Sequence, residues 1–594
     1  MDQQPAVRVV NPVQRVRLAY ALLLVIFAIF SIRLFDLQVI NYDHYKKAAL
    51  NDQLKEYTIP AQRGIITAHL DGSEVPIVLN QELYTLYADP VEIKDPGQVA
   101  SKLQPIIGGS TSSIKQLLQT SDTEYVVLAQ KLTATQNNKI LGFQIPGVGS
   151  TEQDYRTYPQ GSLAAQVLGF VNNNGQGEYG IEQAMNQQLS GKPGLLKAVT
   201  DVNGIPLAAN PNNVSVAPVN GDSVDLTLNV GIQAGVEKIV QAAQKQYQSK
   251  DVSAVVMNVH TGQVVAMANY PSFDPSNYQN VSDPSLFEND AVTYPIEPGS
   301  ITKLFTVATS LQKGVITPTT GFYDPGSWTI DGATISDVAS DHSQGQETIL
   351  STLDKSLNTG ATWMLMQLGG GQVDAQARNA LYDYFSNHFR LGKATGIQQG
   401  NGEEASGYVP TPQDNGNGID LTYAEMSFGQ GYLATALQMV SGLSSILNGG
   451  TYYQPTLIDQ VTSPSGQVTN IAPKVVEKNV VTQQTANDVI TLMEENNALH
   501  INEGYPYLNF GPNYIVGGKT GTAQIASPLG GYLPNEYMGT YTGFVGGDSP
   551  QYAITVYNME PNDYGEFAGA GAGQPVFADI AHMLINDFGV TPKS

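Results

Sequence analysis

Cysteine is absent from this chain of 594 residues, and histidine occurs only 7 times. Without a thiol the chain can form no disulfide and no thiolate metal site, and it has no cysteine nucleophile. The histidines stand singly along the sequence, and none lies in a metal-binding motif such as H-E-x-x-H. The spacing of these residues therefore indicates neither a disulfide scaffold nor a metal enzyme.

Positive charge is also scarce, since 29 Lys and Arg residues stand against 53 Asp and Glu residues, which gives a net charge of −24. Nucleic-acid binding needs clustered basic side chains that neutralise phosphates, and no basic stripe occurs beyond the N-terminus. The composition therefore argues against nucleic acid as a partner. The length of the chain indicates several domains.

A long apolar run occupies residues 18–32, which carry no charge between Arg17 and Arg33. A helix of this length spans about 22 Å, which is less than a hydrocarbon core of about 30 Å. Because both arginines can extend toward the headgroups and further apolar residues follow, we predict a transmembrane helix over 18–40. A cleaved signal peptide is the alternative, but no small-x-small cleavage site follows the run.

Basic residues dominate the short segment before the apolar run, where Arg8, Arg15 and Arg17 outnumber Asp2. Short segments rich in Lys and Arg remain in the cytoplasm during membrane insertion. We therefore predict a single-pass protein of the cell membrane, with a cytoplasmic tail over 1–17 and its bulk outside the cytoplasm.

The remainder of the chain divides into two regions that differ in their patterns of predicted strands and helices. Residues 41–220 contain alternating runs such as 84–88, punctuated by Gly, Asn and Pro, which predict a mostly-β domain without catalytic motifs. Residues 221–594 combine predicted strands at 223–228 and 553–557, a hairpin over 253–268, and helices at 232–246 and 575–588. Strands at both ends with helices between them predict an α+β domain built on one sheet.

Three short motifs in the second region carry the predicted chemistry. They are Ser300-Ile-Thr-Lys303, Ser356-Leu-Asn358 and Lys519-Thr-Gly-Thr522. The S-x-x-K pattern alone is weak, because Ser112-Ser-Ile-Lys115 repeats it in the first region. K-T-G, however, occurs only once, and the three motifs in this order match the signature of serine acyl-transfer enzymes, with leucine in place of aspartate in S-D-N.

The first two motifs supply a nucleophile and its base. A serine hydroxyl needs a neighbouring base, and positions i and i+3 of a helix share a face, so Lys303 can lie beside Ser300. We predict that burial and the second cation, Lys519, lower the pKa of Lys303. Ser356 can relay a proton to the leaving amine, and Asn358 can hold Lys303 and a substrate amide. In the alternative interpretation, Ser300 caps a helix and 356–358 begins one.

The third motif is predicted to lie on a strand and to bind the substrate. Lys519, Thr520 and Thr522 can bind a substrate carboxylate, while Gly521 lets a substrate backbone approach closely. The alternative is a simple turn between two strands.

Together with these motifs, further segments give the chain a resemblance to the class B penicillin-binding proteins. Similar segments include the juxtamembrane residues after the anchor, the R-G-x-I motif of the pedestal and three later pedestal motifs. Further similar segments precede Ser300 or follow residue 358. The complete set of similar segments is 33–39, 63–66, 158–161, 169–171, 180–182, 261–268, 271–275, 297–303, 429–431 with Thr435 and Gln438, and 519–523.

This resemblance implies a multidomain α+β architecture. The expected parts are an N-terminal transmembrane helix, an elongated mostly-β pedestal over 41–220, and a penicillin-binding transpeptidase domain over 221–594. The latter is expected to be similar to serine β-lactamases, with an antiparallel sheet and helices on both faces. One departure concerns the pedestal, where the acid and arginine of the family's R-G-x-I-x-D-R-N-G pattern fall on Ala68 and His69, with one extra residue.

The resemblance also implies an activity, D,D-transpeptidation of peptidoglycan stem peptides through a Ser300 acyl-enzyme with release of D-alanine. The oxyanion hole is expected at the backbone N–H groups of Ser300 and Thr522. β-Lactams are expected to acylate Ser300, and no metal or organic cofactor is implied. Expected partners are a polytopic glycosyltransferase and other division proteins, with the segment before Ser300 favouring the division type.

Three alternatives remain. The first is an elongation-type transpeptidase with the same motifs. The second is a β-lactamase or D,D-carboxypeptidase, although no E-x-x-L-N loop of a class A β-lactamase occurs and the anchor would be superfluous. The third is a β-lactam-sensing or wall-binding scaffold without turnover, against which the complete set of motifs argues.

Overall fold

The computed structural model describes residues 12–46, 54–199, 213–338, 344–400, 404–413, 418–527 and 531–594. The chain divides into two compact units. The first comprises Met1–Ala61 and Gly191–Asn220, and the second comprises Gln62–Ser190 and Gly221–Ser594. Each unit therefore combines two separate stretches of the sequence.

The first unit contains the predicted anchor. An α-helix runs Pro12–Phe35 and continues as a π-helical turn, Asp36–Ile40. By length and composition, Pro12–Ile40 can cross a membrane, and its apolar window is not buried against other parts of the chain. The helix begins before the predicted span 18–40, and residues 1–11 of the predicted tail lie outside the described residues.

The same unit contains a small antiparallel sheet. Its strands are Leu54–Ile59, Gly194–Val199 and Val214–Val216, with Gly194–Val199 in the centre. The region predicted as one pedestal, 41–220, is thus shared between the two units.

A larger mixed sheet in the second unit crosses the predicted boundary at residue 220. Its strand Ser223–Asn229 pairs in parallel with Ile66–Leu70 and antiparallel with Ile458–Thr462. The backbones of residues far apart in sequence therefore share one hydrogen-bonded layer. In spatial order the strands are Val468–Asn470, Ile458–Thr462, Ser223–Asn229, Ile66–Leu70, Ser73–Ala88 and Val126–Leu132, with Val148–Thr157 also paired to Ser73–Ala88.

Three helices beside this sheet were not predicted, because the alternating sequence pattern indicated a mostly-β region. They run Pro96–Ile107, Thr111–Leu118 and Ala134–Leu141. Each begins at a side chain that accepts a hydrogen bond from a free backbone N–H, which stabilises a helix start. Their apolar faces bury Leu103, Ile114 and Ile140 in a separate core with strand residues such as Leu86.

An ion-paired cluster joins two of the pedestal motifs. Glu182, which is fully buried, accepts from Arg63 at 2.7 Å and from Arg156 at 2.6 Å. The carboxylate thus holds the segment before Ile66–Leu70 against strand Val148–Thr157. Buried charges are tolerated when they are paired and hydrogen-bonded, as these are.

The C-terminal part of the second unit is built on a five-stranded antiparallel sheet, as predicted. The strand order is Val264–Tyr270, Asp251–Asn258, Pro550–Met559, Tyr532–Gly546 and Ile515–Ala526. The first two strands form the predicted hairpin. Strands from both ends of the domain meet where Asp251–Asn258 pairs with Pro550–Met559.

Helices cover both faces of this sheet. Successive strand residues point to opposite sides, so each strand contributes apolar side chains to both layers. Ala254 and Val256 face the predicted helices, which run Val230–Tyr247 and Gln574–Asp587. Val255 and Met257 face the larger core. The other helices run Ala165–Leu168, Gly180–Ala184, Asn186–Ser190, Asp290–Thr293, Lys303–Gln312, Ile349–Asp354, Asn358–Leu368, Ala375–Tyr382, Ile419–Met426, Ala436–Leu447 and Gln483–Asn502.

Short hairpins and strand pairs complete the unit. They are Phe170–Val171 with Gly177–Glu178, Gly321–Asp324 with Gly345–Thr348, Ser327–Ile330 with Ala333–Ser336, and Thr451–Tyr453 with Val475–Lys478. Helix Lys303–Gln312 lies in the middle of the larger core, and its residues from Lys303 to Leu311 are all buried. The motif that contains the predicted base is therefore fixed by packing on every side.

Candidate active site

Ser300 lies in a 3-10 turn, Gly299–Thr302, that leads directly into helix Lys303–Gln312. Side chains at i and i+3 eclipse one another in a 3-10 turn. Lys303 Nζ accordingly lies 2.7 Å from Ser300 Oγ. The predicted serine–lysine pair is present, although it is formed by a tight turn rather than by the α-helix that the sequence suggested.

The amino group of Lys303 is held by oxygen atoms of the second motif. Lys303 Nζ donates to the backbone oxygen of Ser356 at 2.7 Å and to Asn358 Oδ1 at 2.9 Å. It also lies 3.2 Å from Ser356 Oγ. The side chain of Lys303 is fully buried. These contacts are with neutral oxygen atoms, and they orient the amine.

Ser356 does not begin a helix, because its φ of 55° is in the left-handed region. This conformation separates helix Ile349–Asp354 from helix Asn358–Leu368. It turns the carbonyl of Ser356 toward Lys303, where a helical residue would point its carbonyl along the helix axis. The motif is thus a kinked connection, and only Asn358 belongs to a helix.

The helix that carries Asn358 is anchored by two buried carboxylates. Asp337 Oδ1 accepts from the backbone N–H of Thr359 at 3.0 Å, and Asp324 Oδ2 accepts from the Thr359 hydroxyl at 2.6 Å. Burial raises the pKa of Asp337 above its ordinary value, although Thr359 and the charge of Lys303 oppose this shift. These contacts fix the position of the amide that holds Lys303.

The third motif lies on edge strand Ile515–Ala526, as predicted. Thr520 and Thr522 line a cavity together with Ser300, Ser356 and Asn358. Lys519 is buried, and its Nζ donates to Thr520 Oγ1 at 3.0 Å. The strand alternation therefore points the two threonines toward the cavity.

Two glycines allow the nucleophile turn to pack on this strand. Gly299 has a φ of 68°, and a Cβ there would lie 2.6 Å from the backbone oxygen of Thr522. A Cβ on Gly521 would lie 2.2 Å from Thr540 Oγ1 and 2.9 Å from the backbone oxygen of Pro298. The structure therefore explains Gly521 by packing within the protein, which the sequence reasoning did not consider.

The second S-x-x-K motif, Ser112 to Lys115, serves as a decoy because it lacks these surroundings. Ser112 and Lys115 are exposed on helix Thr111–Leu118, which lies in the separate core beside the mixed sheet. A shared S-x-x-K pattern thus leads to two different environments.

The cavity at Ser300 has a volume of about 370 Å³ and a polar wall that the sequence did not reveal. Its further lining includes Asp354, Phe428, Gln430, His500, Glu503, Tyr505, Tyr537 and Gln574. His500 appeared in the sequence as a solitary histidine, so no motif could identify it. Of the other residues, Gln430 lies in the 429–431 segment noted in the sequence, whereas Asp354, Glu503, Tyr505, Tyr537 and Gln574 belong to no such motif.

The imidazole of His500 is kept neutral at physiological pH. Burial, reinforced by the charge of Lys519, lowers its pKa to about 4. Its Nδ1 lies 3.1 Å from Gln574 Nε2, which is a donor, so Nδ1 acts as the acceptor of a neutral ring. Its Nε2 faces Asp354 Oδ1 at 3.8 Å. The cavity thus contains a neutral histidine beside carboxylates.

Comparisons with known proteins agree with this fold. A family model for the penicillin binding protein transpeptidase domain matches residues 252–582, and one for the penicillin-binding protein dimerisation domain matches residues 58–226. The chain is 31% identical to penicillin-binding protein PbpB of Mycobacterium tuberculosis, over 96% of this chain and 84% of that protein. It is 28% identical to peptidoglycan D,D-transpeptidase FtsI of Escherichia coli, over 94% of this chain and 89% of that protein.

A solved structure shows the same architecture. The crystal structure of penicillin binding protein 3 from Mycobacterium tuberculosis in complex with aztreonam matches with a TM-score of 0.67 and 26% identity. The match covers 90% of this chain and 98% of that chain.

An antiparallel sheet with helices on both faces, and a serine–lysine pair beside its edge strand, defines the class of serine penicillin-recognising folds. The chain belongs to the class B penicillin-binding proteins, because it combines an N-terminal apolar helix with matches to their dimerisation and transpeptidase domains.

Neutral His500 predicts a specific pH dependence of stability. Its pKa is about 4 in the folded chain and about 6.5 when unfolded. As the pH falls through this interval, the unfolded state binds the proton first, so the free energy of unfolding decreases by up to about 3 kcal/mol. In His500→Gln this contribution disappears, and urea unfolding at pH 6.5 and pH 4.5 should show a smaller loss than in wild type.

The matched control is His260→Gln, because His260 is exposed. We expect its loss of stability over the same pH interval to equal that of wild type. An equal loss in His500→Gln and in wild type would show that His500 is protonated in the folded chain.

Proposed function

We propose that the chain is a peptidoglycan D,D-transpeptidase that acts through an acyl-enzyme on Ser300. The observation that carries this proposal is the buried Lys303 amine, 2.7 Å from Ser300 Oγ and oriented by Ser356 and Asn358. A relative from Escherichia coli is named a peptidoglycan D,D-transpeptidase, and a solved relative is a complex with the β-lactam aztreonam. Both support an acyl-transfer reaction at this serine.

The first half-reaction is acylation. Ser300 Oγ attacks the carbonyl carbon of the penultimate D-alanine of a stem pentapeptide, while Lys303 Nζ takes the hydroxyl proton. Two N–H groups of an uncharged Lys303 are directed to the Ser356 carbonyl and Asn358 Oδ1, which leaves the lone pair for the Ser300 hydroxyl. The contacts that hold the lysine therefore also aim its basic lone pair.

The tetrahedral intermediate needs donors for its oxyanion. The backbone N–H groups of Ser300 and Thr522 serve this role, and the close approach of Gly299 to Thr522 supports the assignment. When the intermediate collapses, the C–N bond to the terminal D-alanine breaks. The nitrogen of the leaving D-alanine takes a proton from Ser356 Oγ. Lys303 Nζ, which lies 3.2 Å from Ser356 Oγ, then gives a proton to this hydroxyl. D-Alanine leaves and the Ser300 ester remains.

The second half-reaction resolves the ester. An amine of a neighbouring stem peptide attacks the ester carbonyl, and its proton passes to Lys303. The new C–N bond forms the cross-link, the ester C–O bond to Ser300 Oγ breaks, and Lys303 returns a proton to Ser300 Oγ. Before D-alanine leaves, its carboxylate is bound by Thr520 and Thr522 next to Gly521, with the buried Lys519 supplying positive charge through its contact with Thr520 Oγ1. β-Lactams mimic the donor peptide and acylate Ser300 in the same way.

We also propose how the chain is organised at the membrane. A cytoplasmic tail over 1–17 and an anchor over 18–40 place the pedestal, 41–220, and the transpeptidase domain, 221–594, outside the cytoplasm. The basic residues before the anchor support this orientation. A polytopic glycosyltransferase and other division proteins are the proposed partners, in septal wall synthesis, and the likeness to FtsI supports that role.

Labelling with a fluorescent penicillin tests the assignment of the nucleophile. Ser300→Ala should lose labelling completely, because no other hydroxyl has a buried lysine at 2.7 Å in the same cavity among the described residues. Labelled protein is quantified by gel fluorescence, with the folded state of the variant checked by its unfolding temperature.

Ser112→Ala is the matched control, since it removes the serine of the exposed decoy motif. We expect it to label like wild type. Persistent labelling of Ser300→Ala would rule out Ser300 as the nucleophile.

The septal role predicts the position of the protein in growing cells. A fluorescent fusion placed before the anchor should concentrate at the division septum, because the proposed partners assemble there. Time-lapse microscopy measures the distribution through the cell cycle. A uniform signal along the side wall throughout would instead support the elongation type.

A further inference from the structure

Three ionisable side chains from distant parts of the chain meet in the mixed sheet, away from Ser300. His69 lies on strand Ile66–Leu70, Asp225 on Ser223–Asn229 and Asp459 on Ile458–Thr462. One potential ligand atom from each lies within 4.8 Å of the other two. The residues are far apart in sequence, so their spacing could not reveal this group.

The two distances from the imidazole of His69 to the carboxylates match those between ligand atoms of a coordination shell. His69 Nε2 lies 3.2 Å from Asp225 Oδ2 and 3.4 Å from Asp459 Oδ2. Tetrahedral Zn²⁺ with bonds of about 2.0–2.1 Å keeps neighbouring ligand atoms about 3.3 Å apart. Moreover, Asp225 Oδ2 accepts no hydrogen bond from any described group, so its contact with His69 is not one.

Both carboxylates are oriented by hydrogen bonds to their other oxygen. Thr67 Oγ1 donates to Asp225 Oδ1 at 2.7 Å, and Gln263 Nε2 donates to Asp459 Oδ1 at 3.0 Å. Each Oδ2 is thereby left facing His69. Hydrogen bonds of this kind fix the ligands of metal sites, because they hold the coordinating oxygen in one position.

The buried carboxylate of Asp225 lies close to a second carboxylate, that of Asp459. Asp225 is only 3% exposed. A buried carboxylate of this kind is stabilised by a cation.

We propose that His69 Nε2, Asp225 Oδ2 and Asp459 Oδ2 bind one Zn²⁺ ion. The ion ties strand Ile66–Leu70 to Ser223–Asn229 and Ile458–Thr462, so it stabilises the sheet that joins the pedestal to the transpeptidase part of the second unit. A water molecule completes the tetrahedron, because His69 and Asp459 are 32% and 36% exposed at their side chains. An imidazole ligand favours Zn²⁺ over Mg²⁺ and Ca²⁺, which prefer oxygen atoms.

Metal binding by the purified full-length chain in detergent tests this proposal. After treatment with EDTA and removal of the chelator, the chain is equilibrated with ZnCl₂ at pH 7.5, and bound zinc is measured by mass spectrometry. We expect one Zn²⁺ per chain and a rise in unfolding temperature, since the ion binds the folded state. Co²⁺ in place of Zn²⁺ should give the visible absorption of a tetrahedral complex.

Two variants test the ligands separately. His69→Gln and Asp459→Asn should each lower the affinity for Zn²⁺ at least tenfold and abolish the rise in unfolding temperature. Asp459 is the partly exposed ligand, so its variant keeps the test valid if His69→Gln folds poorly. His260→Gln is the matched control, because it removes an exposed histidine, and it should bind Zn²⁺ like wild type.

Three results would overturn the proposal. One is the absence of stoichiometric Zn²⁺ binding, which would leave an ion pair between His69 and the carboxylates. Another is equal binding by wild type, His69→Gln and Asp459→Asn. The third is loss of binding in His500→Gln alone, because that result would assign the ion to Asp354, His500 and Glu503, which form a second group of described residues with the spacing of metal ligands. Penicillin labelling of Ser300 is scored independently of these measurements.

Discussion

The contact between the buried amine of Lys303 and Ser300 Oγ is the interaction on which the rest of the site depends. A lysine taken fully out of water must have its N–H groups satisfied by the protein, because an unpaired buried donor is costly. The Ser356 carbonyl and Asn358 Oδ1 meet that need. The amine held by these acceptors lies 2.7 Å from Ser300 Oγ, so satisfying the buried lysine also prepares the proposed proton transfer.

The surrounding fold holds these atoms through packing and through the buried carboxylates that anchor the helix of Asn358. Helix Lys303–Gln312 is enclosed by the larger core, the left-handed Ser356 turns its carbonyl inward, and Gly299 lets the nucleophile turn contact the strand that carries Thr522. Each device is local, but each works only because the five-stranded sheet brings the two ends of the domain together. The site therefore depends on contacts between residues hundreds of positions apart.

Much of this could be predicted from the sequence, because motif order and apolar periodicity are local signals. The sheet with helices on both faces, the hairpin and the meeting of Ser300, Lys303, Ser356 and Asn358 agree with the expectations. The left-handed conformation of Ser356 could not be predicted, since tertiary contacts impose it. The same holds for the neutral His500, for the group around His69, and for the pairing of the predicted strand Ser223–Asn229 with Ile66–Leu70 across the expected domain boundary. These features arise from residues that no sequence motif connects.

The most direct test of the central claim is the rate at which a fluorescent penicillin acylates Lys303→Met. Methionine fills a similar apolar volume but has no basic nitrogen, so the account predicts a rate about 10³-fold below wild type. Lys115→Met, at the exposed decoy, should react like wild type. A rate for Lys303→Met within tenfold of wild type, in a variant with an unchanged unfolding temperature, would contradict the role of Lys303 as the proton acceptor.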